Sequence, residues 1–531
     1  MHSFDKELHM SKALRPKRKY QIRLILIFIL GFALRLYHID FLDIWRDEAF
    51  SINVASQTLY RIIEITIDDM HPPLHLFLLN FWMKLFGSST ISVRMLSLIF
   101  GMLTIYSTYL LSTQVFSKPT YRLLTALFAS INPLFIIYSQ EVRAYSMLTT
   151  FAAAVIYFAC RMNSKTRLNT YFCFILFSIL GLYTHNLFPI LLFSIMIAIL
   201  IRILYPTTRR IKLKLFFRHG DFKRIAVSYV CISICYLPWL VIIAKQFARM
   251  ETEGFWLQFD PIKDVINTYG WFFTSHNYNR SFTFFNRFAY SYIRIFAIWL
   301  SIGGIILELG NSTRHSLKLS WLAILALSTV FLISLKSPLY FIRYLIFVVP
   351  ILLILLSYGI RGFLALLGRK LATVLTAMFI ISNLLFYLTN IAQYTYKAQY
   401  QKALRTIEFD PATDIILHPH AVTYHSFNYY SDLPNFIYDP KRGIAYFEGL
   451  AYISEQDYYD GHLEKFKRIW TLNLWNDNNF ERKLGTYGFE KVETKYFGPE
   501  LSVRLWAKKQ MKSTPQEQII TPASRKSGNK V

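Results

Sequence analysis

The stretch Ile44-Trp45-Arg46-Asp47-Glu48-Ala49-Phe50 places two adjacent carboxylates just after the first apolar run, and Asp68-Asp69-Met70-His71-Pro72-Pro73-Leu74 follows about twenty residues later. Three more polar clusters interrupt an otherwise apolar chain: Tyr138-Ser139-Gln140-Glu141-Val142-Arg143-Ala144-Tyr145-Ser146, Tyr183-Thr184-His185-Asn186 and Ser337-Pro338-Leu339-Tyr340-Phe341-Ile342-Arg343-Tyr344. A carboxylate can take the proton of an attacking hydroxyl. Guanidinium groups hold phosphate oxygens and stabilise charge that grows on them. Together these types suit displacement of a phosphate, which leaves as a stable anion and needs no general acid. Asp47 is then the base, Arg143 and Arg343 bind the phosphate, and His71 or His185 assists. Glycoside hydrolysis would instead ask for an acid and a base about 5–9 Å apart across the bond. Adjacent residues such as Asp47 and Glu48 point in different directions, which favours transfer with one base.

The elements that must position these groups are membrane helices. The chain has 531 residues, 54% of them hydrophobic, and apolar runs of about 17–25 residues, long enough to cross a hydrocarbon core, recur up to position 390 or so. Eleven spans are expected, at 22–38, 92–115, 121–138, 144–161, 169–184, 186–205, 225–243, 289–308, 319–335, 341–360 and 370–389. Leu74–Phe86 is also apolar, but it is short, follows two prolines and carries His75, Asn80 and Lys84. If it lies along the outer surface, the basic stretches Lys12–Arg23, Lys118–Arg122, Arg161–Arg167, Arg202–Arg224, Arg314–Lys318 and Arg361–Lys370 share one side. If it crosses, the first is stranded opposite the rest. The bias of basic loops toward the cytoplasm therefore predicts a surface helix and a cytoplasmic N-terminus. The net charge of +26 sits largely in these loops, where it meets anionic lipid; no nucleic-acid partner is expected. Cys160, Cys173, Cys231 and Cys235 all fall within apolar runs, so no disulfide framework is expected. Ile22–Leu36 is too long for a signal-peptide core and has no small-residue cleavage site after it.

The predicted organisation is a basic cytoplasmic segment (1–21), a transmembrane domain (22–389) with its first outer loop at 39–91, a soluble extracytoplasmic α/β domain (390–510) and a disordered tail (511–531). Strand-like runs at Asp414–Leu417, Arg468–Leu474, Lys491–Phe497 and Leu501–Ala507 support the soluble domain. With this topology every polar cluster lies on the outer face of the cell membrane, and none of them enters the charge argument. No nucleotide donor is available there. An enzyme at that surface must draw its activated donor from the bilayer, and a lipid-linked phosphosugar fits the residues.

Arg46-Asp47-Glu48-Ala49, His71-Pro72-Pro73-Leu74 leading into Phe81-Trp82-Met83-Lys84-Leu85-Phe86-Gly87, then Val93-Arg94-Met95-Leu96-Ser97 and Tyr138-Ser139-Gln140-Glu141-Val142-Arg143 resemble the GT-C membrane glycosyltransferases. The nearest branch is the protein O-mannosyltransferase and aminoarabinose-transferase-like group, glycosyltransferase family 39 and its bacterial and archaeal relatives. The likeness is best over residues 20–190 and fainter through Arg343-Tyr344. It implies a polytopic α-helical GT-C fold, a polyprenyl- or dolichyl-phosphate sugar donor and inversion at the anomeric carbon. It also implies Asp47 as catalytic base with Glu48 as its partner, His71 at the basic position before the two prolines, and Arg143 at the corresponding outer-loop arginine. Two departures stand out. The chain has no room for the large lumenal insertion of the eukaryotic enzymes, and Met70 stands where the aminoarabinose transferases carry a glutamate of a metal site. No cofactor is called for; a divalent metal is left open, with Asp68 or Asp69 and His71 as candidate ligands.

Blander roles exist for each residue. Asp47 suits the N-cap of a helix beginning near Ala49, His71 a helix entry beside Pro72, and Arg143 and Arg343 headgroup contacts at span ends. His185 suits a packed interfacial histidine. Phe255, Trp256, Trp271, Phe272, Phe273 and Tyr278 in the loop 244–288 suit an aromatic belt. A transporter or flippase would want ionisable groups at mid-depth in its spans, and a non-catalytic subunit of a glycan-assembly complex would keep the fold without the chemistry. The expected partners are the lipid-linked donor, an acceptor glycan, lipid or protein, and membrane lipid.

Overall fold

All eleven expected spans fall on helices: His2–Leu36, Thr90–Val115, the pair Pro119–Ile131 and Pro133–Ser139, Tyr145–Arg161, Leu168–Leu182, Phe188–Leu204, Gly220–Glu253, Phe284–Gly310, Leu319–Ser334, Val349–Leu366 and Arg369–Phe386. The computed structural model describes residues 2–163, 166–204, 220–253, 257–274, 284–310, 317–391, 397–438, 449, 451–474, 478–498 and 501–509, the first sixteen of these by backbone alone. Phe255, Trp256, Tyr278, Arg314, most of the basic run 209–224 and the tail 511–531 lie outside the described residues. Five helices are long and apolar enough to cross a membrane alone, and the bent pair makes a sixth. The protein is a multi-pass membrane protein.

One expected span, 121–138, is broken. Its two halves meet at 54°. Pro133 has no N–H to continue the ladder and forces Asn132 out of the helical region, to φ −64° and ψ 119°. Asn132 caps the second half by accepting from Phe135 N, while its amide donates to Phe272 O. The carbonyls freed at the break are taken by Arg35, fully buried, which donates to Ala129 O and Ser130 O at 3.1 and 3.0 Å and to Ser139 Oγ at 3.1 Å. That bend brings Val142 and Arg143 onto the Arg46–Ala55 helix, where they bond Glu48 and Asp47. A second departure concerns the expected span 341–360: its helix starts only at Ile346, with a short 3-10 turn, so Arg343 and Tyr344 stand in the lead-in turn.

Close helix packing uses small residues where they matter. A Cβ on Gly304 would lie 2.0 Å from Leu355 O, and one on Gly359 1.9 Å from Leu300 O. The Phe284–Gly310 and Val349–Leu366 helices thus meet backbone to backbone.

The segment 39–91 folds with three helices, Arg46–Ala55, Leu59–Asp68 and Leu74–Phe86. The last is the short apolar stretch that follows the two prolines. It buries His75, Leu76, Leu79 and Asn80, and Asn80 Nδ2 donates to Ala55 O (2.6 Å) and Gln57 O (3.0 Å), closing the carbonyl end of the first helix.

Beyond residue 397 lies a small α/β domain on one mixed six-stranded sheet, in the order β3-β2-β1-β4-β6-β5. Its strands are β1 Asp414–His418, β2 Asn435–Tyr438, β3 Tyr458–Tyr459, β4 Arg468–Asn473, β5 Phe489–Phe497 and β6 Leu501–Lys508. β1 pairs in parallel with β2 and β4, and β6 runs antiparallel to β4 and β5. All five residues of β1 are buried, as in a strand covered on both faces. The helix Ala421–Tyr430 follows β1 and packs on Arg46–Ala55, so the domain rests directly on the loop that carries the two carboxylates.

Candidate active site

Arg46 opens the first outer-loop helix, and Trp45 is its N-cap without any side-chain bond. Asp47 therefore lies inside the first turn, and the capping role is not the one it plays. Its carboxylate accepts from Arg46 Nε at 2.9 Å through Oδ1 and meets Arg343 Nη1 at 3.2 Å through Oδ2. Arg143 Nη1 donates to Asp47 O and to Ser51 Oγ, both at 3.1 Å. Arg143 Nε is buried with no acceptor among the described residues. Burial by itself would raise the Asp47 carboxyl, but the Arg46, Arg343 and Arg143 charges outweigh it and hold the group well below the usual carboxylate range.

His71 completes the cluster. Its Nδ1 lies 2.7 Å from Asp69 Oδ2 and its Nε2 2.7 Å from Arg143 Nη2. A guanidinium can only donate, so Nε2 accepts and Nδ1 carries the proton toward Asp69. Burial opposes the charge on Asp69, yet the His71 contact keeps its carboxyl below the ordinary value. The loop is pinned from the next helices: Asn186 Nδ2 donates to Met70 O at 2.9 Å, and Gln246 Nε2 donates to Asp69 O. His185 lines the same cavity; burial first, then the nearby cationic groups, push its pKa down to about 3, so it is neutral.

Arg343 is held by aromatic rings. Its guanidinium carbon lies 5.9 Å from the Trp45 and Tyr145 ring centres, 5.0 Å from Phe341 and 5.7 Å from Tyr344. Such cation–π contacts fix its direction without consuming its N–H donors.

Glu48 goes elsewhere. It is fully buried and turned away from the cavity, taking Arg94 Nε and Nη2 at 2.9 Å each, Val142 N at 3.0 Å and Lys397 Nζ at 3.1 Å. Arg94 also donates to Ile39 O and Leu42 O, and Lys397 reaches Glu141 at 2.8 Å. Adjacent carboxylates thus have separate tasks: Asp47 faces the cavity, and Glu48 ties the loop, the Thr90–Val115 helix and the C-terminal domain together. Arg94 and Glu141 stand within motifs quoted from the sequence, but neither was given a role there. Lys397 had no visible signal.

The cavity measures about 980 Å³ with its open mouth included. Asp47, His71, Arg143 and Arg343 give its lining polar groups, Phe247, Leu339 and Tyr344 apolar ones, and His425 and Gly449 enter from the C-terminal domain. Four site residues read from sequence, together with His185, converge here. Asp68 does not line the cavity, and among the described residues no three His, Cys, Asp or Glu side chains converge as a metal site.

Residues 70–237 match the family model described as dolichyl-phosphate-mannose-protein mannosyltransferase. No curated protein matches the chain by sequence. Among solved structures, ArnT from Cupriavidus metallidurans bound to undecaprenyl phosphate superposes with a TM-score of 0.58 at 11% identity, over 91% of this chain and 97% of that one. The Archaeoglobus fulgidus oligosaccharyltransferase in its apo form superposes with a TM-score of 0.51 at 12% identity, over 85% and 69%. AglB from the same organism, in complex with an inhibitory peptide and a dolichol-phosphate, gives 0.50 at 12% identity, over 86% and 69%. Residues 70–237 thus carry the signature of that mannosyltransferase family, and the chain shares the fold of ArnT and of the archaeal oligosaccharyltransferase.

Proposed function

We propose that this protein transfers one sugar from a polyprenyl-phosphate donor to an acceptor hydroxyl at the outer face of the membrane, with inversion at the anomeric carbon. The acceptor oxygen bonds to the anomeric carbon as the C–O bond to phosphate breaks. Its proton passes to Asp47, and the electron pair of the broken bond leaves with the polyprenyl phosphate. Arg143 and Arg343 hold that phosphate, and His71 fixes Arg143 while its own ring is oriented by Asp69. Glu48 positions the loop rather than reacting. Before a donor binds, Asp47 is a weak base because its arginines hold it ionised. A phosphate competes for the same guanidinium groups, and as they turn to it the carboxylate regains basicity when the acceptor arrives.

The observation that carries this reading is the 3.2 Å contact between Asp47 Oδ2 and Arg343 Nη1 in a cavity lined by both charged and apolar side chains, a mixture suited to an isoprenoid phosphate headgroup. ArnT and AglB of the same fold bind undecaprenyl phosphate and dolichol-phosphate. The outward orientation rests on the distribution of basic loops, with the N-terminus cytoplasmic and the C-terminal domain outside. The test is incubation of purified protein with radiolabelled polyprenyl-phosphate sugars and envelope extracts. Wild-type protein moves label to an acceptor; Asp47→Asn inserts normally and moves none. Equal turnover by Asp47→Asn refutes the mechanism.

A further inference from the structure

A second groove lies at the C-terminal end of the Arg46–Ala55 helix, whose first turn faces the cationic cavity. It is formed where the helix's last turn (Ile52, Asn53, Ser56), the turn Ser88-Ser89-Thr90, and Gln401 with Asn428-Tyr429-Tyr430 of the C-terminal domain come together. Its volume is about 950 Å³ with the open mouth included. Among the described residues no carboxylate, ammonium or guanidinium group lines it. The first cavity, in contrast, is crowded with arginine, aspartate and histidine.

The groove's walls are fixed before any guest arrives. Tyr429 OH donates to Ser88 O at 2.9 Å and lies 3.2 Å from Thr90 Oγ1. Tyr430 OH accepts from Ile44 N at 2.5 Å, and Asn435 Nδ2 donates to Asn428 Oδ1 at 2.7 Å. The two tyrosine rings stand edge to face, 4.8 Å between centres and 86° between planes. Hydroxyl and amide groups have more than one hydrogen-bonding valence, so a group that spends one on the wall has another for a ligand. Rigid neutral hydroxyls, amides and aromatic faces are the chemistry that recognises a sugar. Peptide recognition would ask for a free strand edge or apolar pockets, and Ile52 is the single aliphatic residue of the lining.

We infer that this groove binds an uncharged glycan, and that it is the acceptor subsite for the transfer proposed above. The same helix links the two sites: Asp47 is in its first turn and Ser56 just past its last, about 13 Å apart at 1.5 Å per residue. An extended oligosaccharide seated beside Asn53 and Ser56 spans that distance and brings its terminal hydroxyl toward Asp47. The inference rests on the transferase reading for the acceptor role and on the groove alone for binding.

The test uses the full chain in nanodiscs and saturation-transfer NMR. Probes are mannohexaose and maltohexaose as neutral glycans, hexagalacturonic acid as a charged one, and a Ser/Thr-rich dodecapeptide. The expected result is binding of at least one neutral hexasaccharide, with Ser88→Trp and Ser56→Trp, both at exposed positions, each weakening it about fivefold or more through lost contacts. Undecaprenyl phosphate binding in those variants stays at the wild-type level. Absence of binding by either neutral glycan, preference for the charged glycan or the peptide, or indifference to both tryptophans overturns the inference. If the glycan binds and undecaprenyl phosphate does not, the groove stands and the donor reading falls.

Discussion

Asp47 and Glu48 are neighbours in sequence with opposite environments, and that difference assigns their roles. Asp47 meets two arginines that also face a cavity, while Glu48 is closed in by Arg94 and Lys397. Arg143→Met and Arg343→Met should each weaken undecaprenyl phosphate binding by about tenfold or more, since a hydrogen bond to a charged group contributes roughly 1.5–3 kcal/mol; thermophoresis on the purified protein measures it. Each change also removes a charge that depresses the Asp47 carboxyl, so the acid limb of any rate profile should move upward in pH. The catalytic types were legible in sequence because proton acceptor and phosphate holder are a short list of side chains. The tasks of Glu48 were not. Its partners lie 46 and 349 residues away, and no local pattern carries that distance.

At the scale of elements, the buried chain Arg94–Glu48–Lys397–Glu141 is the joint between the outer loop and the C-terminal domain. Lys397 is only 5% exposed at its side chain and also lies 5.3 Å from the centre of the Trp45 ring. Breaking a buried pair by removing one partner typically costs about 3–5 kcal/mol. Lys397→Met should lower the thermal midpoint by leaving Glu141 without its cation, and adding Glu141→Gln should restore part of the loss. A double variant no more stable than the single would show that the contact is not what holds the joint. Strands β1, β4, β5 and β6 were visible as β-branched and aromatic runs. β2 and β3 were not: Asn435–Tyr438 and Tyr458–Tyr459 are too short for alternation to show and are ordered by their parallel partners. The break at Pro133 was written in the sequence, since the residue before a proline avoids the helical region, but the apolar run around it masked the corner. What no run of residues could show is that Arg35 would take the carbonyls freed there.

Across the whole molecule, the segments around the cavity and the C-terminal domain bury histidines as neutral groups. Burial lowers His75, His185 and His418 to about 3 each, with nearby cationic groups adding to the effect at the first two and His425 at the third. Unfolded, each would titrate near its ordinary value of about 6.5. Between those values the unfolded chain binds protons that the folded chain does not. Stability is therefore fully present above about pH 6.5 and falls as pH drops below it, by up to about 1.4 kcal/mol per pH unit for each histidine. The depressed carboxylates Asp47, Glu48 and Asp69 work in a different window: their unfolded values lie near 4, so their contribution persists until pH falls further. Between about pH 6.5 and pH 5 the histidines decide the slope. Thermal unfolding of the detergent-purified protein at pH 7.5 and pH 5 should show a lower midpoint at pH 5. His418 sits in β1 and does not line the cavity, so His418→Gln should flatten that slope while undecaprenyl phosphate binding at pH 7.5 is retained. A midpoint independent of pH across this range would mean these rings are protonated in the folded chain, and the neutral His185 beside Arg143 and Arg343 would fall with it.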